Sequence, residues 1–229
     1  MINKLRFLIN YLKFAKNPKR TELIFKFIDA IRAMPEKKEL FDHYQSVYLN
    51  NDAFKKMWEE KYFPQLSTDE LSKMPSGSFG RTYFEFLQKH NLDLNFYPEI
   101  EIQSAIDYFI LRLYKTHDMY HVLLNEDISY RAELAVQAFT LAQTQSGIPA
   151  IILSGGLLHE AQNNPLDIPQ HFEDLFRLYH LGKSIPPLFG IRLESYMEMP
   201  LTEVRSLLGI DNSGKMAKAV SLAHVELTN

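Results

Sequence analysis

Apolar residues recur at helical spacing along most of the chain, and alternating strand patterns are nearly absent. The longest periodic stretch covers residues 101–124, and a second covers residues 129–145 after a link of only a few residues. Recurrence at i, i+3, i+4 and i+7 is typical of a helix that turns one face toward a core. The pattern therefore predicts an all-α fold in which these two helices are antiparallel neighbours.

Prolines, glycines and capping residues delimit the other predicted helices. They lie at 21–34, 36–49, 52–60, 83–90, 171–181 and 201–208. The stretch 67–81 is expected to be a loop, although its Ser-Thr-Asp-Glu start has helix-capping chemistry. Since no repeat or low-complexity segment divides the chain, we predict one domain over residues 1–229, with a C-terminal tail at 211–229.

The first twenty residues carry six Lys or Arg side chains and no acidic one. Apolar residues follow helical spacing among these charges, at Ile2, Leu5, Leu8, Ile9 and Leu12. One interpretation of residues 1–20 is a basic amphipathic helix that lies on an anionic membrane surface. The other is an N-terminal helix docked on the protein body with its lysines in water. Sequence alone leaves both open.

Composition removes several classes of function. A net charge of −3 over 229 residues gives no sign of a nucleic-acid partner. The absence of cysteine excludes disulfides, iron–sulfur clusters and thiolate zinc sites, so any metal must have nitrogen and oxygen ligands. The apolar segment 147–158 is too short to span a bilayer and is expected to be buried. Its small residues, with the high frequency of two-fold assembly, predict a homodimer.

The candidate chemistry lies in the stretch THDMYHVLLNEDISYRAEL, residues 116–134. His117 and His121 are one helical turn apart, and on a helical wheel both lie within the apolar stripe of residues 101–124. Asp118 lies at the edge of that stripe, about 100° round the axis from His117. Two buried imidazoles need partners, because unpaired polar groups in a core cost several kcal/mol.

Glu133 supplies a partner from the next predicted helix. It shares a face with Ser129, Gln137, Thr140 and Thr144, and three of these four residues are small enough to let the helices approach closely. Together with Asp118 it would complete a site of two imidazoles and two carboxylates. We therefore predict one divalent metal ion. These ligand types are compatible with zinc, iron, manganese or magnesium.

Other interpretations of the same residues compete with a metal site. The histidines could be core residues paired with Asp118 and Glu133 without a metal. A zinc protease of the H-E-x-x-H type is poorly matched, because an aspartate occupies the position of its glutamate base. A phosphohydrolase of the His-Asp type would need further histidine and aspartate ligands. A second dipeptide, His159-Glu160, is a possible ligand pair but is expected to lie at an exposed helix end.

The string His117-Asp118-x-x-His121, followed after eleven residues by Glu133, resembles the signature of the Coq-four family of ubiquinone-biosynthesis proteins. The segment MPSGSFGRTYFEFL, residues 74–87, is similar to an upstream motif of that family. PLTEVRSLLGI, residues 200–210, is similar to its C-terminal end. The three segments occur in the family's order and together cover roughly residues 20 to 210.

This resemblance implies an all-α protein that is peripheral to a membrane and acts on or holds polyprenylated quinone precursors. It implies that His117, Asp118, His121 and Glu133 are the metal ligands. Such proteins are described both as organisers of the quinone-synthesis proteins and as catalysts of oxidative decarboxylation, and both roles stay open here. The Lys-rich N-terminus does not resemble a mitochondrial presequence. We therefore expect a bacterial member in the cytoplasm, at the inner face of a membrane.

Aromatic residues form 13% of the chain and are concentrated around the loop that contains Gly77 and Gly80. A polyprenyl lipid or isoprenoid phosphate needs a long apolar groove, in which each buried CH₂ contributes about 0.8 kcal/mol. Ordinary core packing would also explain the aromatic side chains. The candidate lipid-binding residues are Phe79, Tyr83, Phe84, Tyr114 and Tyr120.

Overall fold

The computed structural model describes residues 2–98 and 100–210. Within these residues the secondary structure is helical, with one isolated antiparallel bridge between Ser78 and Pro200. The all-α prediction is confirmed. The α-helices are α1 (Ile2–Lys16), α2 (Glu22–Arg32), α3 (Lys38–Leu49), α4 (Asp52–Glu59), α5 (Thr68–Lys73), α6 (Phe79–His90), α7 (Ala105–Leu124), α8 (Tyr130–Thr144), α9 (Gly147–Asn163), α10 (Ile168–Ser184) and α11 (Leu201–Leu208). Short 3₁₀ helices lie at Pro35–Lys37, Pro165–Asp167, Leu188–Gly190 and Leu193–Tyr196. The predicted tail at 211–229 lies outside the described residues.

Helix α7 is the centre of the fold. Its buried residues surround the axis instead of forming the single stripe expected from the wheel. They include Arg112, which is 1% exposed and pairs with Glu194 of the 3₁₀ helix at Leu193–Tyr196. A helix buried on all sides belongs to the core. The two histidines therefore extend from a helix of the core.

Capping side chains set several helix starts that periodicity misplaced. Helix α7 begins at residue 105 because the Ser104 hydroxyl accepts from the Asp107 amide. Ser78 caps α6 in the same way, so this helix starts four residues before the predicted position 83. The expected loop at 67–81 contains α5, whose N-cap is Ser67. A side-chain acceptor at the N-cap satisfies an amide that would otherwise lack a partner.

Helix α8 packs most extensively against α10 and much less against α7. The predicted approach of the two helices is present where Glu133 meets His117 and His121, and they contact each other little elsewhere. The Thr140 and Thr144 hydroxyls, expected to face α7, donate to backbone carbonyls one turn earlier in α8 itself. Because the helix satisfies these groups internally, its polar positions do not need a polar partner helix.

Helix α9 contains the apolar segment 147–158 and packs against α1 and α8. A side chain at Gly155 would collide with Phe14, and one at Gly156 would collide with Leu134. These two glycines are therefore buried by contacts within the chain, although Leu158 in the same segment is 42% exposed. The homodimer stays a prediction. In the part of the chain that the structure describes, no helix combines the length and apolarity needed to cross a membrane.

The segments at 74–87 and 200–210 meet in the structure. The Gly80 amide donates to the Met197 carbonyl at 2.7 Å, and the Leu201 amide donates to the Gly77 carbonyl at 3.0 Å. Gly77 has φ +76°, a conformation that residues with a side chain rarely adopt. This contact joins the start of α6 to the start of α11, near residues of the main hydrophobic cluster.

Candidate metal centre

The turn between α7 and α8 places the candidate ligands. Asn125, the residue after the last residue of α7, has the left-handed conformation with φ 58°. The Ser129 hydroxyl caps α8 by accepting from the Ala132 amide. The Asp127 carboxylate accepts from the Ser129 amide at 2.8 Å. The short link therefore has a defined shape, and it brings Glu133, in the first turn of α8, back toward the last two turns of α7.

His117, His121 and Glu133 form a compact group, in which one ligand atom from each lies within 4.8 Å of the others. The His117 Nε2 atom is 3.3 Å from Glu133 Oε2, and the His121 Nε2 atom is 3.4 Å from Glu133 Oε1. The two Nε2 atoms are 3.3 Å apart. The Glu133 side chain is 39% exposed, whereas that of His121 is 1% exposed. The group thus has a buried side and a side open to solvent.

The orientation of His121 is fixed from two directions. Its Nδ1 atom lies 2.8 Å from the Asp127 carbonyl oxygen, which can only accept, so Nδ1 carries the proton. Its ring stacks on Phe86 at 5.8 Å with an interplanar angle of 27°. With the proton on Nδ1, the Nε2 lone pair points into the group, as a metal ligand requires.

The electrostatics of the group favour opposite charges on its members. Burial acts to lower the pKa of His117, but the hydrogen bond and the charge of Glu133 outweigh it and leave the pKa raised. Burial acts to raise the pKa of Glu133, but the two imidazoles beside it outweigh burial and hold the pKa far below its usual range. A carboxylate that stays ionised beside two imidazoles is suited to bind a cation.

Asp118 lies outside this compact group. Its Oδ1 atom accepts a hydrogen bond from the Tyr97 hydroxyl at 3.1 Å. The pKa of Tyr97 is raised well above its usual value by burial and by the charges of Asp118 and Glu133, so the hydroxyl keeps its proton and can donate. Tyr97 was missed by sequence reasoning because it lies in the irregular segment between α6 and α7. The sequence feature that could have indicated Tyr97 is the Phe-Tyr-Pro run, in a segment that otherwise lacks apolar periodicity.

Tyr97 belongs to an aromatic wall formed by Phe25, Phe96, Tyr97 and Tyr114. Its ring stacks on Tyr114 with 5.8 Å between centroids, and Phe25 packs edge-on against both tyrosines. Phe96 is 50% exposed, so the wall reaches the surface. The predicted lipid-binding residue Tyr114 lies in this wall and is therefore linked through Tyr97 to Asp118.

The other predicted lipid-binding residues belong to the main hydrophobic cluster or pack against it. Phe79, Tyr83 and Tyr120 are at most 2% exposed and belong to the main hydrophobic cluster. Phe84 packs against that cluster and is partly buried, with the Arg81 guanidinium over its ring. Core packing accounts for these four side chains in the described arrangement. Burial and the nearby charge of Asp118 raise the pKa of Tyr83, so this residue also lies close to the contact between Asp118 and Tyr97.

The two side chains of the second candidate dipeptide, His159-Glu160, have different surroundings. His159 is partly exposed, and its Nδ1 atom lies 3.4 Å from the Asn163 amide nitrogen. Glu160 is 3% exposed and pairs with His171 of α10 at 3.1 Å. The expectation of an exposed helix end was therefore wrong for Glu160. Its real partner, eleven residues later, could not be seen in the dipeptide.

The donor set of the compact group fits a divalent metal ion. Two imidazole nitrogens and one carboxylate are the ligands of many catalytic zinc sites, which keep a further position open for water or substrate. The same three donors suit non-haem iron, and manganese also accepts them. A cavity of about 240 Å³ borders His121 and is lined also by Phe86, Leu201 and Arg205. This cavity lies on the Asp127 side of His121, and neither His117 nor Glu133 lines it. The aromatic wall lies on the Asp118 side of the group.

Comparison with known sequences decides the family. The sequence model described as "Coenzyme Q (ubiquinone) biosynthesis protein Coq4" matches residues 56–213, which is more than half of the chain. The chain belongs to the Coq4 family. The matched region contains His117, His121 and Glu133, as well as Tyr97 and the contact between α6 and α11.

Relatives in the Coq4 family include mitochondrial proteins of animals and fungi. The rat ubiquinone biosynthesis protein COQ4 homolog is 32% identical over 151 residues, which is 63% of this chain and 56% of the rat protein. The COQ4 protein of Saccharomyces cerevisiae is 28% identical over 153 residues, which is 63% of this chain and 43% of the yeast protein. The match with this chain thus spans about half the length of these relatives.

The fold has a counterpart among solved structures. The crystal structure of a Nostoc punctiforme protein, provisionally named for ubiquinone biosynthesis, superimposes with a TM-score of 0.78. The match covers 91% of this chain and 99% of the other, at 24% sequence identity. This likeness extends the shared fold to most of the chain, beyond the residues that the family model matches.

Proposed function

We propose that this Coq4-family chain takes part in ubiquinone or quinone biosynthesis by binding a polyprenylated quinone precursor through a divalent metal ion. His117, His121 and Glu133 would hold the metal. The observation that carries the proposal is the compact group itself, with two imidazole nitrogens and a carboxylate on one partly open surface. Its open side leaves room for an oxygen of the ligand's head group.

The metal would supply a positive charge that binds a carboxylate, phosphate or phenolate oxygen of the ligand. The protein residues have separate roles around it. His121 is oriented by the Asp127 carbonyl, and Glu133 neutralises part of the metal charge. The aromatic wall that includes Tyr97 and Tyr114 offers a flat apolar surface next to the group, which suits a ring or an isoprenoid chain.

Helix α1 supports a membrane-surface location for this binding. Its apolar residues Ile2, Leu5 and Leu12 are 65%, 56% and 53% exposed although they follow helical spacing. Lysines are interspersed with them on the same helix. An exposed apolar stripe combined with basic side chains is the pattern of helices that lie on anionic lipid. We propose that α1 holds the protein at a membrane surface, where a polyprenyl lipid is available.

The test is a binding comparison with two lipids that share an isoprenoid tail. One is a polyprenyl phosphate, and the other is the corresponding neutral polyprenol. Glu133→Gln should weaken metal binding by roughly 10–100-fold, because an amide is a poorer ligand than a carboxylate. Affinity for the phosphate should fall in step, while affinity for the polyprenol should stay near that of the wild type.

Glu39→Gln is the matched control, because Glu39 is an exposed carboxylate on α3. It should leave metal and lipid affinity unchanged. If both lipids lose affinity equally in Glu133→Gln, the metal stabilises the fold and does not bind the head group. If the wild type binds no divalent metal, the imidazoles and carboxylates are paired core residues and the proposal fails.

A further inference from the structure

The turn between α7 and α8 carries an acidic side chain in an unfavourable position. Glu126 lies just beyond the C-terminal end of α7, where the helix dipole disfavours a carboxylate. Its side chain is nevertheless only 16% exposed. A carboxylate held there needs a cation, because an unpaired charge with little access to water is costly.

Arg177 of α10 supplies that cation. Its guanidinium donates to Glu126 Oε1 at 2.7 Å and to Asp174 Oδ1 at 3.2 Å. Asp174 also accepts from Arg131 of α8. Burial acts to raise the pKa of Asp174, but the hydrogen bonds and charges of the two arginines outweigh it and lower the pKa, so this carboxylate stays ionised. Charged groups thus connect the α7–α8 turn to α10 and to α8.

Glu126 stands between the two contacts that hold His121. The Glu126 amide donates to the His121 carbonyl at 2.9 Å. The next residue, Asp127, accepts at its carbonyl oxygen from the His121 Nδ1 atom at 2.8 Å. A displacement of Glu126 would therefore disturb both the backbone contact and the contact that orients the imidazole ring.

We infer that Arg177 is a positioning residue, which holds the α7–α8 turn so that the His121 imidazole keeps the orientation that a metal ligand needs. This inference rests on the proposed function, since it takes the compact group to bind a metal. A preorganised site binds more tightly, because less conformational freedom is lost on binding. The Arg177 side chain is 52% exposed, and water weakens such an ion pair, so the expected effect is smaller than the loss of a ligand.

Calorimetric titration of the full chain with Zn²⁺ measures the effect. Arg177→Gln should weaken zinc binding by about three- to tenfold, between the effect of an exposed ion pair and that of a direct partner of a metal ligand. Arg177→Lys retains a charged donor and should recover most of the affinity. Arg131→Gln is the matched control, because it removes the other arginine partner of Asp174 and makes no hydrogen bond to Glu126 in the described residues. It should not weaken zinc binding.

The direction of the effect separates positioning from long-range charge. Arg177 is a cation, so its removal would tighten the binding of a metal ion if charge alone mattered, whereas removal of the Glu126 charge would weaken it. Positioning requires that Arg177→Gln and Glu126→Gln both weaken zinc binding. The double variant should then lose no more affinity than either single variant, because both changes remove the same contact.

A second measurement observes His121 directly in metal-free protein. The proton on Nδ1 is hydrogen-bonded to the Asp127 carbonyl, and NMR should show that it exchanges with water faster in Arg177→Gln than in Arg131→Gln. Zinc affinity in Arg177→Gln that equals or exceeds that of the wild type would overturn the inference while the proposed function stands. An equal loss of zinc affinity in Arg131→Gln would do the same. A wild-type protein that binds no divalent metal would overturn both proposals together.

Discussion

Two histidine–glutamate pairings in this protein have similar distances and different surroundings. In the compact group, Glu133 lies 3.3 and 3.4 Å from two imidazoles. Between α9 and α10, Glu160 lies 3.1 Å from the single imidazole of His171. The Glu133 side chain is 39% exposed, whereas the Glu160 side chain is 4% exposed. Distance alone therefore does not identify a ligand site.

The Glu160–His171 pair is closed on all sides. Asn164 donates to Glu160 Oε2 at 3.1 Å, and both Glu160 Oε1 and His171 Nδ1 are buried without a hydrogen-bond partner among the described residues. No second imidazole among the described residues joins this pair within ligand distance. The comparison teaches that a third donor and an open side distinguish a candidate metal centre from a polar contact between helices.

The largest expected difference between the two pairings is in their contribution to the stability of the fold. Glu160→Ala should reduce the free energy of unfolding by about 3–5 kcal/mol, because it leaves a buried partner uncompensated. Glu133→Ala, in metal-free protein, should cost less, because that side chain is 39% exposed and water screens its contacts with the imidazoles. Urea denaturation of both variants checks this, and equal losses would mean that the two pairings are structurally equivalent.

Metal affinity should separate the two regions in the opposite direction. His121→Gln should weaken divalent metal binding by about 100-fold or more, since even changes next to metal ligands cost 10–100-fold. His171→Gln should leave it unchanged. Calorimetric titration with zinc or manganese ions measures both. A metal affinity that falls in His171→Gln would place a metal between α9 and α10 instead.

The pH dependence of metal affinity gives a further test of the compact group, because a metal competes with protons for His117. The charge of Glu133 raises the His117 pKa, so below that raised pKa the imidazole is protonated and must lose its proton to bind a metal. Affinity should therefore fall as the pH drops through the raised pKa, by up to about tenfold per pH unit for one displaced proton. In Glu133→Gln this fall should begin at lower pH.

The same shifts predict the pH dependence of stability without metal. The raised pKa of His117 stabilises the fold below its ordinary value of 6.5, and this contribution disappears as the pH rises through the folded pKa. The lowered pKa of Glu133 stabilises the fold above 4.5, and this contribution disappears as the pH falls. Both are fully present between these two values, where thermal unfolding of metal-free protein should show the smallest effect of added acid or base.

The smallest effect is expected at His159, next to Glu160 in sequence. His159→Ala should change the free energy of unfolding by less than about 0.5 kcal/mol, as is usual for a partly exposed side chain outside a network. Its ring packs beside Tyr130 at 5.3 Å and makes no contact with His171 in the described hydrogen bonds. A loss as large as that of Glu160→Ala would show that the dipeptide acts as a unit.

Sequence periodicity was sufficient for the helical class and for the meeting of Glu133 with the two histidines. Both depend on local rules, namely helical spacing and a short link with capping residues. It was insufficient for Asp118, whose partner Tyr97 comes from an irregular segment with no periodic signal. It also missed the pairing of Glu160 with His171. Packing between α9 and α10 selects that partner, and helical periodicity within one segment does not indicate which helices pack together.

The local origin of the three candidate ligands has a consequence for folding kinetics. His117, His121 and Glu133 all belong to two consecutive helices, joined by a turn in which the Glu126 amide bonds to the His121 carbonyl at 2.9 Å. Closing so short a loop costs little chain entropy, and contacts of low sequence separation form early. A divalent ion present during folding is therefore expected to bind this turn before α10 docks on α8. It would then accelerate folding as well as stabilise the folded protein.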